Sequence, residues 1–189
     1  MAMSSKLILS LLAGTIFLMD VMTTIKNRRS IRRFLDKEIP KDAIDALKDA
    51  LIWAPSAGNL QSRRFYFVFN NDVKKRIVDA ALHQTFILQA PLVVIACADL
   101  LIGRSYGSRG EELYSIQDVA CSVENIMLAA HSLGLGSVWV GAFHEEGIAN
   151  VLDLPSHLRP MAILPVGYPA HSPSPPRRLE KDELITEVR

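Results

Sequence analysis

Four arginines and one serine lie within six residues, in the run Arg-Arg-Ser-Ile-Arg-Arg that begins at Arg28. Arg28, Ser30 and Arg32 alternate along the chain, so they share one side if the segment is extended. Guanidinium forks and hydroxyl groups are the donors that a phosphate monoester requires. The run therefore indicates a phosphate site, with Arg29 and Arg33 on the opposite side. The alternative is a solvated basic surface.

A polar turn with the sequence Pro-Ser-Ala-Gly-Asn-Leu-Gln follows about one helix later and begins at Pro55. The proline ends the preceding helix, and Gly58 permits a tight bend. Asn59 offers a donor and an acceptor, which match the polar edge of a flat heterocycle, and Ser56 and Gln61 offer further hydrogen bonds. The alternative is an ordinary helix-to-strand loop. Taken with the arginine run, the turn predicts a flavin mononucleotide (FMN) site and a redox enzyme.

Two later segments are further candidates for this site. The run from Gly134 to Phe143 contains three glycines beside a predicted strand, and glycine lets a backbone approach a flat ring closely. Trp139 either lines that pocket or is a buried core residue. Arg177 and Arg178 follow two prolines that stiffen the chain, and they either present two guanidinium groups to a ligand or belong to a solvated tail.

Length and composition fit one domain with a proper core. The 189 residues are 49% hydrophobic, and the net charge of +1 argues against a general nucleic-acid binder. Two cysteines are too few for a disulfide framework. Cys97 in an apolar strand and Cys121 in a helical pattern are interpreted as reduced core thiols of a cytoplasmic protein, against the alternatives of a bridge or a nucleophile. The five histidines lack metal-ligand spacing, so we predict no metal site.

Residues 1–20 form an apolar N-terminal extension. Lys6 precedes an apolar run at residues 7–18, which resembles the start of a signal peptide. The run is short for a membrane span, which needs about 20 residues, and no small-residue cleavage site follows it. We therefore favour an additional helix or an upstream start over export, with membrane contact through residues 7–18 as the less favoured alternative. Residues 21–189 are predicted to form the functional domain.

Apolar periodicity and turn residues predict an α+β sandwich, in which helices flank a small sheet. A Gly/Ser/Arg-rich loop is expected at residues 103–110, and a proline-rich extended tail at residues 169–176. Asp42 is the expected N-cap of the second helix. The predicted helices cover residues 21–27, 42–54, 73–82, 115–133 and 145–152, and the predicted strands cover residues 65–69, 92–98, 137–140 and 161–166.

The order and spacing of the four polar segments resemble the nitroreductase family of FMN-dependent oxidoreductases, over about residues 21–185. The stretch from Tyr106 to Glu111, followed by Ile116-Gln117-Asp118 and a long helix, is similar to the smaller members of that family. The resemblance implies an α/β/α sandwich with a mostly antiparallel central sheet. It also implies an intertwined homodimer with two FMN sites at the subunit interface, each lined by both chains.

The resemblance assigns roles to individual residues. In the family, an Arg-x-Ser-x-Arg/Lys motif holds the phosphate and ribityl chain, and a Pro-Ser-x-x-Asn-x-Gln turn meets the flavin ring. A backbone segment lies near the reactive edge, and a late basic residue returns to the phosphate. The residues that match the phosphate and ribityl motif are Arg28, Arg29, Ser30 and Arg32. Those that match the ring-contacting turn are Pro55, Ser56, Asn59 and Gln61. Val140 and Gly141 match the backbone segment near the reactive edge, and Arg177, assisted by Arg178, matches the late basic residue. Where family members often have Pro-Trp after the turn, this chain has Ser62-Arg63, which changes the packing near the ring.

The activity implied by the resemblance is hydride transfer from NADH or NADPH through flavin N5 to a nitroaromatic, quinone or activated-alkene acceptor. No side chain is expected to act as a general acid. Arg32, and less strongly Arg64, are candidates for stabilising negative charge at the N1 edge of the flavin. The alternatives are a specialised member of the same fold, a flavin-binding module without turnover, and an RNA-binding protein that uses the arginine run.

Overall fold

The computed structural model describes residues 20–189. The predicted extension therefore lies outside the described residues except for Asp20, and so does the proposed membrane contact of residues 7–18. Within the described range, no helix is long and apolar enough to cross a membrane. The helices are α1 (Val21–Asn27), α2 (Lys41–Ile52), α3 (Asn71–Ala80), α4 (Phe86–Gln89), α5 (Gly103–Arg109), α6 (Ser115–Ser132), α7 (Glu145–Val151) and α8 (Lys181–Leu184), and the strands are β1 (Arg63–Val68), β2 (Leu92–Asp99), β3 (Gly136–Ser137) and β4 (Leu158–Gly167).

The four strands form one antiparallel sheet in the order β1-β2-β4-β3. Strand β2 lies in the middle, where Ile95 is opposite Tyr66 of β1 and Ile163 of β4. All eight residues of β2 are buried, as expected for a continuous apolar strand whose two faces are both covered. The predicted antiparallel sheet is confirmed.

Helices cover both faces of the sheet and give three layers. On one face, Leu47 and Leu51 of α2 and Val123 and Ile126 of α6 pack in one hydrophobic core with alternate residues of β2. On the other face, α3 and α7 pack against the remaining residues of β2. In α2, the buried residues recur at four-residue spacing, so one stripe of the helix faces the sheet. The α/β/α sandwich expected from the sequence is therefore confirmed.

The segment at residues 103–110, predicted as a loop, is instead helix α5 followed by a π-helical turn that leads into α6. The carboxylate of Asp99 accepts a hydrogen bond from the backbone N–H of Leu101 at 3.1 Å, which caps the preceding 3₁₀ turn. The rings of Tyr106 and Tyr114 pack edge-to-face, with centroids 5.3 Å apart. The loop prediction is wrong because tertiary packing outweighs the weak helix propensity of glycine and serine, although Gly107, with a φ of 57°, interrupts the helical backbone of α5.

Two predicted boundaries also differ. Pro40, which makes no side-chain hydrogen bond, holds the N-cap position of α2, so Asp42 lies in the first turn instead of at the cap. The strand predicted over residues 137–140 is shorter in the structure, where only Gly136 and Ser137 pair with β4 as strand β3. The chain leaves β4 after β3 and returns to it for a single bridge between Val140 and Ile163.

The two cysteines lie in different environments. Cys97 is buried in β2, and burial raises the pKa of its thiol to about 12. Cys121 is exposed on α6, because only one stripe of an amphipathic helix faces the core. The prediction of a core thiol is correct for Cys97 and wrong for Cys121.

Candidate functional site

The arginine run is extended and lies between β3 and the chain that follows β4. The backbone N–H of Ile31 donates to the carbonyl of Ser137 at 3.0 Å, and the N–H of Ala170 donates to the carbonyl of Arg33 at 2.9 Å. Helix α1 ends immediately before the run. The predicted extended conformation is confirmed, and hydrogen bonds from two neighbouring segments hold it in place.

A small cavity of about 120 Å³ lies beside this run. It is lined by Arg28, Arg29, His131, Ser137 and His171, among others. Each of these five side chains has one buried polar atom without a hydrogen-bond partner: Nη1, Nε, Nε2, Oγ and Nδ1, respectively. Only one other buried side-chain polar atom of the described residues lacks a partner. Each such atom costs about 1–3 kcal/mol, so this set of nitrogen and hydroxyl donors fits an anion that would accept from them.

The cavity uses the arginines differently from the predicted alternation. Arg28 and Arg29 both line it, whereas Ser30 and the exposed Arg32 do not. Nη1 of Arg29 donates to the carbonyls of Lys26 at 2.8 Å and Arg28 at 2.9 Å. The expectation that Arg29 points away is wrong, because these bonds fold its side chain back onto the end of α1.

The polar turn has an unusual backbone. Gly58, Asn59 and Gln61 all have positive φ angles, of 55°, 55° and 53°. Positive φ is uncommon for residues other than glycine and often marks a functional segment. The backbone N–H of Gln61 donates to Oγ of Ser56 at 3.0 Å, which closes the turn. The side chains of Asn59 and Gln61 are exposed, so both are free to meet a ligand.

Two buried charged side chains hold this turn from beneath. Arg63 and Asp118 are 5% and 4% exposed. One oxygen of the Asp118 carboxylate accepts from the backbone N–H of Ala57 at 2.9 Å, and the other has no partner among the described residues. Burial lowers the pKa of the Arg63 guanidinium, which remains charged as arginine does in proteins. The guanidinium donates to the carbonyls of Ile52, Ala54, Pro55 and Asp118 at 3.3, 2.6, 2.9 and 3.4 Å.

Sequence reasoning did not assign Arg63 or Asp118 to the site. It identified the Ser62-Arg63 departure from the family pattern but not its consequence. The available signal was a pair of arginines at the start of an apolar, mostly aromatic strand, where a guanidinium that becomes buried needs several acceptors. The end of α2 supplies such acceptors, because the last carbonyls of a helix have no partner within the helix.

We expect Gly58→Ala to cost about 1–2 kcal/mol in the free energy of unfolding, since φ is positive there. The added Cβ would lie 2.4 Å from Oη of Tyr106, so the tyrosine ring must also move. Gly134→Ala is the matched control, because Gly134 has φ of 75° and nothing within 4 Å of its added Cβ. Urea denaturation should give a loss for Gly58→Ala that is at least as large as the loss for Gly134→Ala, and only Gly58→Ala should weaken flavin binding. Equal flavin affinity in the two variants would contradict this prediction.

The segment around Gly141 is open on one side. Val140 is buried and exchanges two backbone hydrogen bonds with Ile163, at 2.9 and 3.0 Å. Gly141 is exposed, and an added Cβ would lie 3.7 Å from the indole nitrogen of Trp139. Trp139 is 40% exposed, so it is not a core residue, and its pocket-lining role remains a prediction.

The C-terminal arm does not bring its arginines to the cavity of the same chain. Pro173 lines the cavity, but Arg177 and Arg178 are exposed. Neither forms an ion pair or a side-chain hydrogen bond with another residue of the range 20–189. Residues 172–180 form neither helix nor strand, which is compatible with the predicted tail, and Arg177 and Arg178 do not reach the cavity of the same chain.

The environment of His131 predicts a pH dependence. Its pKa is lowered from the ordinary value of 6.5, first by burial and then by the positive charges of Arg28 and Arg29. The unfolded chain therefore binds a proton more readily than the folded one, and this contribution to stability is present above pH 6.5 and is lost as the pH falls through the lowered pKa.

Without ligand, the wild-type protein should lose more of its free energy of unfolding between pH 7.5 and pH 5.5 than the His131→Gln variant loses. Urea denaturation at the two pH values measures the difference. His83, an exposed histidine whose side chain is 81% accessible, provides the control variant His83→Gln. An unchanged pH dependence in His131→Gln would show that the histidine is not buried as described.

Comparison with known proteins identifies the family. The family model described as "Nitroreductase family" matches residues 25–87 and 79–168. The chain belongs to the nitroreductase family. A Methanothermobacter thermautotrophicus nitroreductase relative, provisionally named NADH dehydrogenase/NAD(P)H nitroreductase, is 34% identical over 178 residues, which cover 92% of this chain and 90% of the relative.

Other nitroreductases are similar over most of the chain. A Bacillus subtilis protein named FMN reductase (NADPH) is 28% identical over 182 residues, covering 89% of this chain and 73% of the relative. The structure of the NfrA1 nitroreductase from B. subtilis superposes with a TM-score of 0.83 at 26% identity, covering 90% of this chain and 74% of that one. These comparisons confirm the family and the nitroreductase fold inferred from the sequence.

Proposed function

We propose that this nitroreductase is an FMN-dependent oxidoreductase that takes a hydride from NADH or NADPH. The observation that carries the proposal is the cavity beside the arginine run. Five of its lining residues each have a buried polar atom without a hydrogen-bond partner among the described residues. Relatives named as FMN reductases and as an oxygen-insensitive NADPH nitroreductase support the cofactor and the donor. The family membership supports an oxidoreductase over an RNA-binding protein.

The cavity fits the phosphate of FMN. Arg28 and Arg29 provide charge and N–H donors, and His131, Ser137 and His171 provide further polar atoms. Charge-assisted hydrogen bonds to a phosphate are about twice as strong as neutral ones. In this proposal, Ser30 and Arg32 lie along the ribityl chain, next to the cavity and outside it. The three residues from α6, β3 and the C-terminal segment extend the set predicted from the sequence.

The turn at residues 55–61 fits the polar edge of the flavin ring. Asn59 and Gln61 present exposed amides, and Ser56 and Pro55 anchor the turn through Gln61 and Arg63. Arg63 and Asp118 form a buried clamp beneath the turn. The clamp fixes the backbone of the turn before the flavin ring binds, which reduces the entropy lost on binding.

When bound, FMN would supply the redox chemistry, which in this proposal is hydride transfer at N5 from NAD(P)H to a nitroaromatic, quinone or activated-alkene acceptor. The paired backbone at Val140 leaves Gly141 open without a side chain, so a flat ring and a stacked partner have room there. Trp139 lies beside that opening. We assign no side chain as a general acid, and solvent supplies the proton.

We propose that two copies form the complete enzyme, with FMN at their interface. The C-terminal arm exposes Leu179, Leu184, Ile185 and Val188, at 56%, 69%, 62% and 94%, and such an apolar surface needs a cover. An arm laid on a second copy would bring Arg177 and Arg178 toward the phosphate cavity of that copy.

Light scattering of the purified protein should give twice the mass of one chain. Deletion of residues 177–189 should abolish dimer formation and give the mass of a single chain. A cytoplasmic location remains a prediction.

Absorbance of the purified protein tests the function. We expect a yellow protein with a flavin spectrum that bleaches when NADH or NADPH is added without oxygen. A yellow protein that neither donor bleaches would favour a flavin-binding module without turnover. A colourless protein that FMN does not reconstitute would overturn the proposal.

A further inference from the structure

A second cleft, of about 260 Å³, lies beside the flavin-ring turn. Its lining includes Gln61 of the turn and, at the start of α5, Arg104 and Ser105. Arg64 of β1 and Asp99 of β2 also line the cleft. It shares no lining residue with the phosphate cavity, so it is a separate place in which a ligand near the ring can be bound.

The charge in this cleft is positive. Arg64 and Arg104 provide two guanidinium groups, and Asp99 is the acidic residue among those that line it. The Asp99 carboxylate is buried, and one oxygen already accepts from the N–H of Leu101 at 3.1 Å. Its other oxygen lies 3.6 Å from Nη2 of Arg64. Only Arg64 is close to this carboxylate, which is already partly occupied, so the positive charge of Arg104 is not balanced within the cleft and an anion can bind there.

Arg64 is held in place while it remains accessible. Its Nη1 donates to the carbonyl of Arg63 at 2.8 Å, and its side chain is 59% exposed. Arg104 is exposed and makes no ion pair or side-chain hydrogen bond with another described residue. A guanidinium oriented by the protein and facing solvent is the group that recognises phosphate and carboxylate oxygens with two parallel hydrogen bonds.

We propose that Arg64 and Arg104 bind an anionic oxygen group of a reaction partner seated over the flavin, an inference that rests on the proposed function. Two sources carry this chemistry. One is the 2′-phosphate that distinguishes NADPH from NADH, and the other is a carboxylate on the electron acceptor. In either case, the two arginines determine which partner is preferred. This proposal assigns Arg64, which lies in the cleft beside Asp99, to the reaction partner instead of the N1 edge of the flavin, for which Arg32 remains the candidate.

Steady-state kinetics of the double variant Arg64→Gln/Arg104→Gln separates the two sources. With a neutral quinone as acceptor, a phosphate source predicts that KM for NADPH rises about tenfold while KM for NADH and both kcat values change less than twofold. With NADH as donor, a carboxylate source predicts a similar rise in KM for 4-nitrobenzoate and not for 4-nitrobenzamide. Arg76→Gln, an exposed arginine on α3, is the control and should alter none of these ratios.

Calorimetry tests the site without turnover. The flavin-loaded wild type should bind adenosine 2′,5′-bisphosphate or 4-nitrobenzoate, more weakly at high salt, and the double variant should lose about tenfold in affinity. Equal affinities in the two proteins, no binding of either probe by the wild type, or unchanged KM ratios would overturn the proposal. Failure of the proposed function would be seen earlier, before these probes are added. The protein would then bind no flavin, or neither NADH nor NADPH would bleach its flavin.

Discussion

Replacing Arg63 by methionine is expected to lower the free energy of unfolding by about 3–5 kcal/mol. The substitution removes the buried guanidinium that donates to four carbonyls around the end of α2 and the flavin-ring turn. It also leaves the buried Asp118 carboxylate without a nearby positive charge, and its unpaired oxygen already has no donor. Buried groups left without partners account for most large single-site losses. Urea denaturation measures the loss.

The same variant should weaken binding of riboflavin as well as FMN, because the clamp orients the turn that meets the ring. Arg76→Met is the control, since Arg76 is exposed on α3 and its replacement should change stability by no more than about 0.5 kcal/mol. If Arg63→Met does not fold, Arg63→Lys retains the charge and part of the hydrogen bonding, so flavin affinity is still measurable. Equal losses in Arg63→Met and Arg76→Met would refute the role of Arg63 in holding the turn.

Arg28→Ala is expected to weaken FMN binding by about 1.5–3 kcal/mol, or about 10- to 150-fold. The arginine provides a charged donor to the phosphate from a partly buried position, and its Nη1 has no partner among the described residues. The apo-protein should lose little stability, because no hydrogen bond of this side chain within the described range is broken. Titration of flavin fluorescence measures the affinity.

Riboflavin, which lacks the phosphate, is the control ligand for Arg28→Ala. Its affinity should be unchanged, whereas Arg63→Met should weaken riboflavin and FMN to a similar extent. The two variants therefore distinguish residues that bind the phosphate of FMN from residues that position the turn at its ring. Unchanged FMN affinity in Arg28→Ala would mean that the phosphate is bound elsewhere.

Much of the fold follows from local sequence. The long helix was predicted at residues 115–133 and lies at Ser115–Ser132, because its apolar residues recur with helical period. The extended arginine run and the turn after Pro55 were also found from local patterns. The helix at Gly103–Arg109 was not found, because the contact between Tyr106 and Tyr114 that packs against it is not visible in a Gly/Ser-rich sequence pattern.

The sequence by itself determined the family, the layers of the fold and two of the segments expected to hold FMN, since periodicity, turn residues and ordered motifs are properties of neighbours in the chain. Only the tertiary structure decided that His131, Ser137 and His171 join Arg28 at one cavity, and that Arg63 and Asp118, 55 residues apart, hold one turn. Such convergence depends on how β3, β4 and α6 pack together, and no local pattern encodes which distant side chains that packing brings into hydrogen-bonding distance.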